Sequence, residues 1–332
     1  MLNTGNTGVF MRLSTTRNPD IHSFVVSSAV APNTLLAYNN GWARFSAYCA
    51  RQRIADPLSA SPDTVAGFLL DCMTQPRSGG GAPLSMATVF LYSSAIAKRF
   101  TDAGRGSPSQ HPTVRATIKG LSRLAGTAPR RVKALREGQV RAMIAQCPDS
   151  VIGIRDAAVL ALGFAAALRR AELCALRVDD VTIIPRTLEQ PRRMWVFIRR
   201  SKTDQNGRGH AIAVPEGNTV KPIDRVQAWL SVSGVTEGPL FRTMRRGGAV
   251  QERSLHPSDV PRLVKRYAAL TGLDPKEVSG HSLRAGFVTS AAAHHARLDK
   301  IMAVTRHADP ATVMKYIRDA DAFCDHAGSA FL

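Results

Sequence analysis

Residues 280–287 read GHSLRAGF, and residues 305–316 read TRHADPATVMKY. Together they bring His281, Arg284, His307 and Tyr316 into a span of 36 residues. His281 and Arg284 lie one helical turn apart at a predicted helix start. Asp309-Pro310 reads as the cap and first residue of another helix, which carries Tyr316. The set suits phosphate: a cation that does not deprotonate, two imidazoles and a phenol. Upstream, LRRAEL at 168–173 adds Arg169 and Glu172, and RRSKTDQ at 199–205 adds Lys202.

Each fragment also has an ordinary reading. Arg169 and Glu172 are an i,i+3 pair of the kind found on any helix surface. Arg170 competes with Arg169, although its spacing to Glu172 is poorer. A His-x-x-Arg pair arises often by chance, and Tyr316 could be a core residue on the stripe Val313, Tyr316, Ile317. The ordered set is more specific than its parts. Breaking a phosphodiester without a metal needs an in-line nucleophile, neutralisation of the extra negative charge, and a proton for the leaving oxygen. Arginine suits the second task, because its planar fork grips two phosphate oxygens.

The order Arg…Lys…His-x-x-Arg…His…Tyr resembles the tyrosine recombinase (phage integrase) family, specifically its simple Cre- and Xer-like members. The resemblance runs from about Val132 to Ile317, roughly half the chain. The family's L-R-x-x-E-L matches Leu168 to Leu173 with Arg169 in the arginine position. Its spacing from second histidine to tyrosine matches the nine residues from His307 to Tyr316. The resemblance implies a site-specific recombinase that cuts and rejoins DNA through a 3′-phosphotyrosyl link at Tyr316, leaving a free 5′-hydroxyl. It further implies that Arg169 and Arg284 clamp the phosphate, with Glu172 bracing the site. His281 helps deprotonate the phenol, and His307 donates to a non-bridging oxygen. Lys202, on the turn between two strands, protonates the departing 5′-oxygen. The covalent link stores the bond energy, so no cofactor, ATP or metal is implied. Thr305-Arg306 departs from the Leu-Gly often found before the second histidine, which puts the fine geometry there in question. His294-His295 reads as a surface pair, since adjacent helical residues point about 100° apart and no carboxylate stands at ligand spacing.

Composition fits a DNA partner. The 332 residues hold 44 Lys and Arg against 25 Asp and Glu, a net +19. Residues 1–128 hold 12 basic and 5 acidic residues, and the remaining 204 hold 32 and 20. Both halves are therefore basic, unlike a neutral body with a basic tail. The five cysteines are odd in number and scattered, with no C-x-x-C, which argues against a disulfide framework or zinc knuckle. Cys49, Cys72 and Cys174 fall in apolar helical patterns, and the usage suits a reducing cytoplasm, near the nucleoid. No signal-peptide run opens the chain. The longest apolar stretch, Ala157 to Leu168, has 12 residues, too few to span a bilayer.

Apolar periodicity predicts four N-terminal helices: on Tyr38, Trp42, Phe45 and Cys49; from Ser61-Pro62 through Cys72; from Ser85 with Met86, Phe90 and Phe100; and from His111-Pro112 with Val114, Ile118 and Leu121. Helices are expected over 137–147, 151–168, 222–233, 257–271, 281–296, 298–306 and 310–318. Strands are expected over 194–199 and 210–214, with a reversal at Asn206-Gly207. The fold class is mainly α with a small β-sheet. Its domains are a flexible tail at 1–22, a helical domain at 23–125, a linker at 126–134 and a catalytic domain at 135–332. In the family these correspond to a four-helix core-binding (SAM-like) domain and the catalytic domain, closing on DNA as a C-shaped clamp. The 22-residue tail is too short for a further arm-site-binding domain. Arg130, Arg131 and Lys133 in the linker, with Arg200 and Arg306, are candidate DNA contacts. The family also implies a specific double-stranded target, a tetramer on DNA, and a C-terminal tail bearing Phe323, Phe331 and Leu332 that docks on a neighbouring protomer. Neither a membrane nor a small-molecule substrate is implied. Two other readings share these residues: a type IB topoisomerase that nicks and swivels, and a DNA-binding protein of the same fold without activity. Strand transfer on suicide substrates separates the three.

Overall fold

The computed structural model describes residues 32–75, 82–126, 132–201, 204, 208–245 and 247–320. The chain divides into two compact units, Met1–Arg130 and Arg131–Leu332. Among the described residues, no helix is long and apolar enough to cross a membrane.

The first unit holds α1 (Pro32–Arg51), α2 (Pro62–Thr74), α3 (Met86–Asp102) and α4 (Pro112–Ala125). The predicted starts are present in atomic detail. Ser61 Oγ accepts the Thr64 N–H at 3.2 Å ahead of Pro62, and His111 Nδ1 accepts the Thr113 N–H at 3.3 Å ahead of Pro112. Phe45, Cys49, Phe68, Leu69, Val89, Ile96 and Val114 are almost fully buried. Phe45 and Phe68 meet edge to face at 5.3 Å. One stripe is rotated from expectation: α3 buries Val89, Tyr92, Ile96 and Phe100, and Phe90 stands 43% exposed. Gly41 explains how closely α1 and α3 approach, since a Cβ there would come within 2.7 Å of the Tyr92 ring.

The second unit is built around α6 (Val151–Ala165), whose residues 157–164 are all buried. A helix apolar on every side belongs inside a core. It is preceded by α5 (Glu137–Ala145) and followed by α7 (Arg170–Ala175). Next come β1 (Val181–Ile184), β2 (Arg193–Ile198) and β3 (His210–Pro215), an antiparallel sheet in that order, with Trp195 opposite both Thr182 and Ala213. β2 alternates, burying Met194, Val196 and Ile198. Then follow α8 (Pro222–Ser233), a short hairpin of β4 (Arg242–Met244) and β5 (Val250–Ser254), α9 (Asp259–Leu270), α10 (His281–Ala293), α11 (Leu298–Thr305) and α12 (Pro310–Ala320).

Strands β1, β4 and β5 were not anticipated. β1 has only four residues, and β4 and β5 carry Arg242, Glu252 and Arg253 where an apolar alternation would stand. The helix expected over 151–168 stops at Ala165. The chain then turns through Ala167 at φ 47°, returning Leu168 to the core and presenting Arg169 at the start of α7. α10 is fitted closely to its surroundings. A Cβ on Gly286 would lie 1.8 Å from the Leu135 carbonyl oxygen, so only glycine fits where α10 passes the segment entering this unit.

Candidate active site

Four elements converge: the turn into α7, the start of α10, the end of α11 and the middle of α12. His281 opens α10, and its Nε2 lies 2.9 Å from the Tyr316 hydroxyl on α12. The Tyr316 ring rests against a small cluster of Val288, Ile301 and Val313. Both readings of Tyr316 therefore hold: its ring packs, and its hydroxyl reaches out to an imidazole.

Arg284, one turn after His281, is almost completely buried. Its Nη1 donates to the Ala167 carbonyl at 2.7 Å, and its Nη2 donates to the Thr305 carbonyl. Burial brings this guanidinium down to about 9. Arg169 and Arg306 push the same way, while Glu172 and Tyr316 oppose them.

Arg169 takes the place expected of it, and Arg170 points to solvent. The Glu172 carboxylate accepts the Arg169 backbone N–H at 2.8 Å and Arg169 Nη1 at 2.7 Å. This is one half of a capping box, and it aims the arginine. Glu172 is 3% exposed and Arg169 23%, so the pair lies at the rim of the core and is no loose surface ion pair. A third donor completes the carboxylate: Arg306 Nη2, at 2.6 Å. Arg306 was expected to reach DNA. Its side chain instead turns inward onto Glu172 and is 6% exposed.

His307 is held through Thr305, which the sequence reading assigned no role. His307 Nδ1 lies 2.9 Å from Thr305 Oγ1, and that hydroxyl donates to the Ile301 carbonyl at 2.8 Å. With the hydroxyl proton on Ile301, Nδ1 is the donor, and Nε2 is left for a ligand. A buried hydroxyl two residues before a histidine was the available signal. Asp309 caps α12 by accepting the Ala311 N–H at 2.9 Å.

Both imidazoles are biased toward the neutral form. Partial burial lowers His281, which keeps some access to solvent, and Arg284 and Arg169 assist. Burial lowers His307 to about 4, assisted by Arg284, Arg169, His281 and Arg306. Between the ordinary 6.5 and about 4, the unfolded chain then binds more protons than the folded one. Stability should rise with pH across that window and fall as the pH drops through it. Thermal unfolding between pH 7 and pH 5 should show a falling Tm, with a shallower fall in His307→Gln. Parallel slopes would mean that another group titrates.

Arg200 is exposed after β2 and lines a cleft of about 270 Å³ together with Glu172, Asp180, Phe197 and Arg199. Lys133 is exposed, with Nζ 3.5 Å from Glu277. Lys202, Arg130, Arg131, Asn206-Gly207 and the tail from 321 onward lie outside the described residues. His294, exposed as expected, lies 3.5 Å from a Glu137 carboxylate oxygen.

A family model described as the phage integrase family matches residues 133–322, more than half of the chain. An integrase/recombinase XerD homolog of Selenomonas ruminantium is 33% identical over 300 residues, covering 90% of this chain and 84% of that protein. The chain belongs to the phage integrase family. It is a site-specific tyrosine recombinase, an enzyme that breaks and rejoins DNA strands. The recombinase Cre of Escherichia phage P1 is 28% identical over 268 residues, 75% of this chain and 68% of Cre. Among solved structures, XerH bound to a palindromic difH substrate after cleavage has the same fold, with a TM-score of 0.63 at 18% identity over 88% of this chain and 78% of that one.

Proposed function

We propose that Tyr316 is the nucleophile of this recombinase, that Arg169 and Arg284 neutralise the scissile phosphate, and that Glu172 aims Arg169. His281 accepts the phenolic proton, and His307, protonated at Nε2 once a bound phosphate offsets the surrounding cations, donates to a non-bridging oxygen. Lys202, which falls between β2 and β3 in the sequence, protonates the leaving 5′-oxygen. The single observation that carries this reading is the 2.9 Å contact of Tyr316 Oη with a His281 ring biased toward its neutral, proton-accepting form. The closeness of two guanidinium groups supports it, because they answer the charge that builds up on phosphorus. Protein incubated with a nicked suicide duplex should become covalently joined to a 3′ end, in EDTA as well as without it. Adduct formation that chelator abolishes and a divalent metal restores would refute this mechanism.

The target in this reading is a specific double-stranded site. The helical domain at 23–125 and the catalytic domain at 135–332 both bind it, and the linker at 126–134 crosses the phosphate backbone. Arg130, Arg131, Lys133 and Arg200 contact phosphates, which position the protein without reading sequence. The enzyme works in the cytoplasm at the nucleoid. Four protomers assemble on two duplexes, each passing its C-terminal tail to the next in a closed ring. The apolar residues Phe323, Phe331 and Leu332 support this, since they would supply anchors for a groove on a neighbouring protomer. Removing residues 320–332 should leave single-site binding nearly intact, weaken cooperative binding and abolish strand exchange. A truncated protein that recombines two sites at the full-length rate would exclude the ring.

A further inference from the structure

Arg306 occupies an unusual position. It ends α11 at φ 56°, with its backbone N–H donating to the Met302 carbonyl. That left-handed conformation favours glycine. Glycine is also what the family often carries there, as the resemblance above implied. A bulky residue held in this region is strained, and it persists only where its surroundings compensate. The compensation is on the inside. Nη2 donates to Glu172 Oε2 at 2.6 Å and Nη1 to the Val304 carbonyl at 3.1 Å. The buried Nε has no hydrogen-bond partner among the described residues. The group is therefore kept for its charge more than for a complete set of bonds.

Charge counting gives the reason. Glu172 is needed to aim Arg169, but its carboxylate cancels one guanidinium. Arg169 and Arg284 against Glu172 leave a single net positive charge. With Arg306 on the same carboxylate, two remain. A phosphodiester carries one negative charge, and the five-coordinate state on the way to cleavage carries two. An added positive charge in a dry site acts mostly on the second.

We propose that Arg306 is a positioning residue for strand cleavage: by neutralising Glu172, it leaves both Arg169 and Arg284 uncompensated toward the scissile phosphate. The proposal rests on the tyrosine-recombinase reading of this site and adds to it a third arginine.

The test uses full-length protein with Arg306→Gly and Arg306→Lys. Glycine is at ease at this φ, which offsets part of the loss of the buried pair with Glu172, so a single cooperative unfolding transition, even at a lower Tm, certifies the fold of Arg306→Gly. Covalent adduct formation is timed on two nicked suicide duplexes. One has the native scissile phosphate, and the other has a methylphosphonate, which lacks one negative charge. Arg306→Gly should slow the native reaction by about 30-fold, below the loss of a direct transition-state donor, while gel-shift affinity changes less than about threefold. Arg306→Lys should recover most of the rate. On the methylphosphonate the glycine penalty should shrink to about threefold or less, since the reacting centre there carries less negative charge. An equal penalty on both duplexes, no penalty on either, or a lysine variant as slow as glycine overturns the role given to Arg306. Wild-type protein that forms no adduct on the native duplex refutes the catalytic reading itself, a separate outcome.

Discussion

Tyr316→Phe should bind DNA as the wild type does and form no covalent adduct at all. Only one oxygen is lost. The ring keeps its packing against Val288, Ile301 and Val313, so α12 has no reason to move. The lost hydrogen bond to His281 is partly solvent-exposed and contributes about 1 kcal/mol to stability at most. Chemistry, in contrast, loses the proposed nucleophile, and among the described residues no other phenol stands beside His281. The His281 ring is aimed at the Tyr316 oxygen, and the other groups around it are arginines, Glu172 and a His307 imidazole tethered to Thr305. A denaturant-resistant, protease-sensitive complex formed by Tyr316→Phe would move the nucleophile elsewhere.

Arg169→Ala and Arg284→Ala should each slow cleavage by at least about a hundredfold, the scale for losing one preorganised donor to the transition state. They should part company in stability. Arg169 is partly exposed, and Glu172 keeps Arg306 when Arg169 is cut back, so the melting temperature should change little. Arg284 is buried between two carbonyls, those of Ala167 and Thr305, and its removal strands both. Each buried, unsatisfied carbonyl costs about 1–3 kcal/mol, so Arg284→Ala should also melt several degrees lower. Cleavage rates, gel-shift affinity and thermal unfolding measured side by side test this. Affinity losses as large as the rate losses would reduce both residues to ordinary phosphate contacts.

The helices were legible because their apolar residues recur at helical spacing and their starts carry Ser61-Pro62, His111-Pro112 and Asp309-Pro310. The candidate set could be proposed from the sequence because histidine, arginine and tyrosine at fixed spacings leave a mark that folding does not erase, and the structure brings His281 and Tyr316 into contact. What escaped depends on backbone path or tertiary contact. Phe90 has the right chemistry for a core, but the packing of α3 turned it outward. β1, β4 and β5 are too short or too charged to alternate. Arg306 reads as one more cation for a groove until the positive φ at the end of α11 swings it onto Glu172. Thr305 reads as filler, because its work is done by a hydroxyl on Ile301 and His307 and by a carbonyl on Arg284.

The seat of Arg284 has an implication for heredity. Both of its anchors, at Ala167 and at Thr305, are peptide carbonyls. Every amino acid carries that oxygen, so no point mutation at 167 or 305 can delete the acceptor itself. Only a change in the course of the main chain can. The aim of this guanidinium is thus written in the turn after α6 and the end of α11, and for Arg284 itself only those bends matter, whatever other work the Thr305 and Arg306 side chains do. A chain can in this way change much of its sequence and keep this guanidinium in place; XerH, at 18% identity, has the same fold.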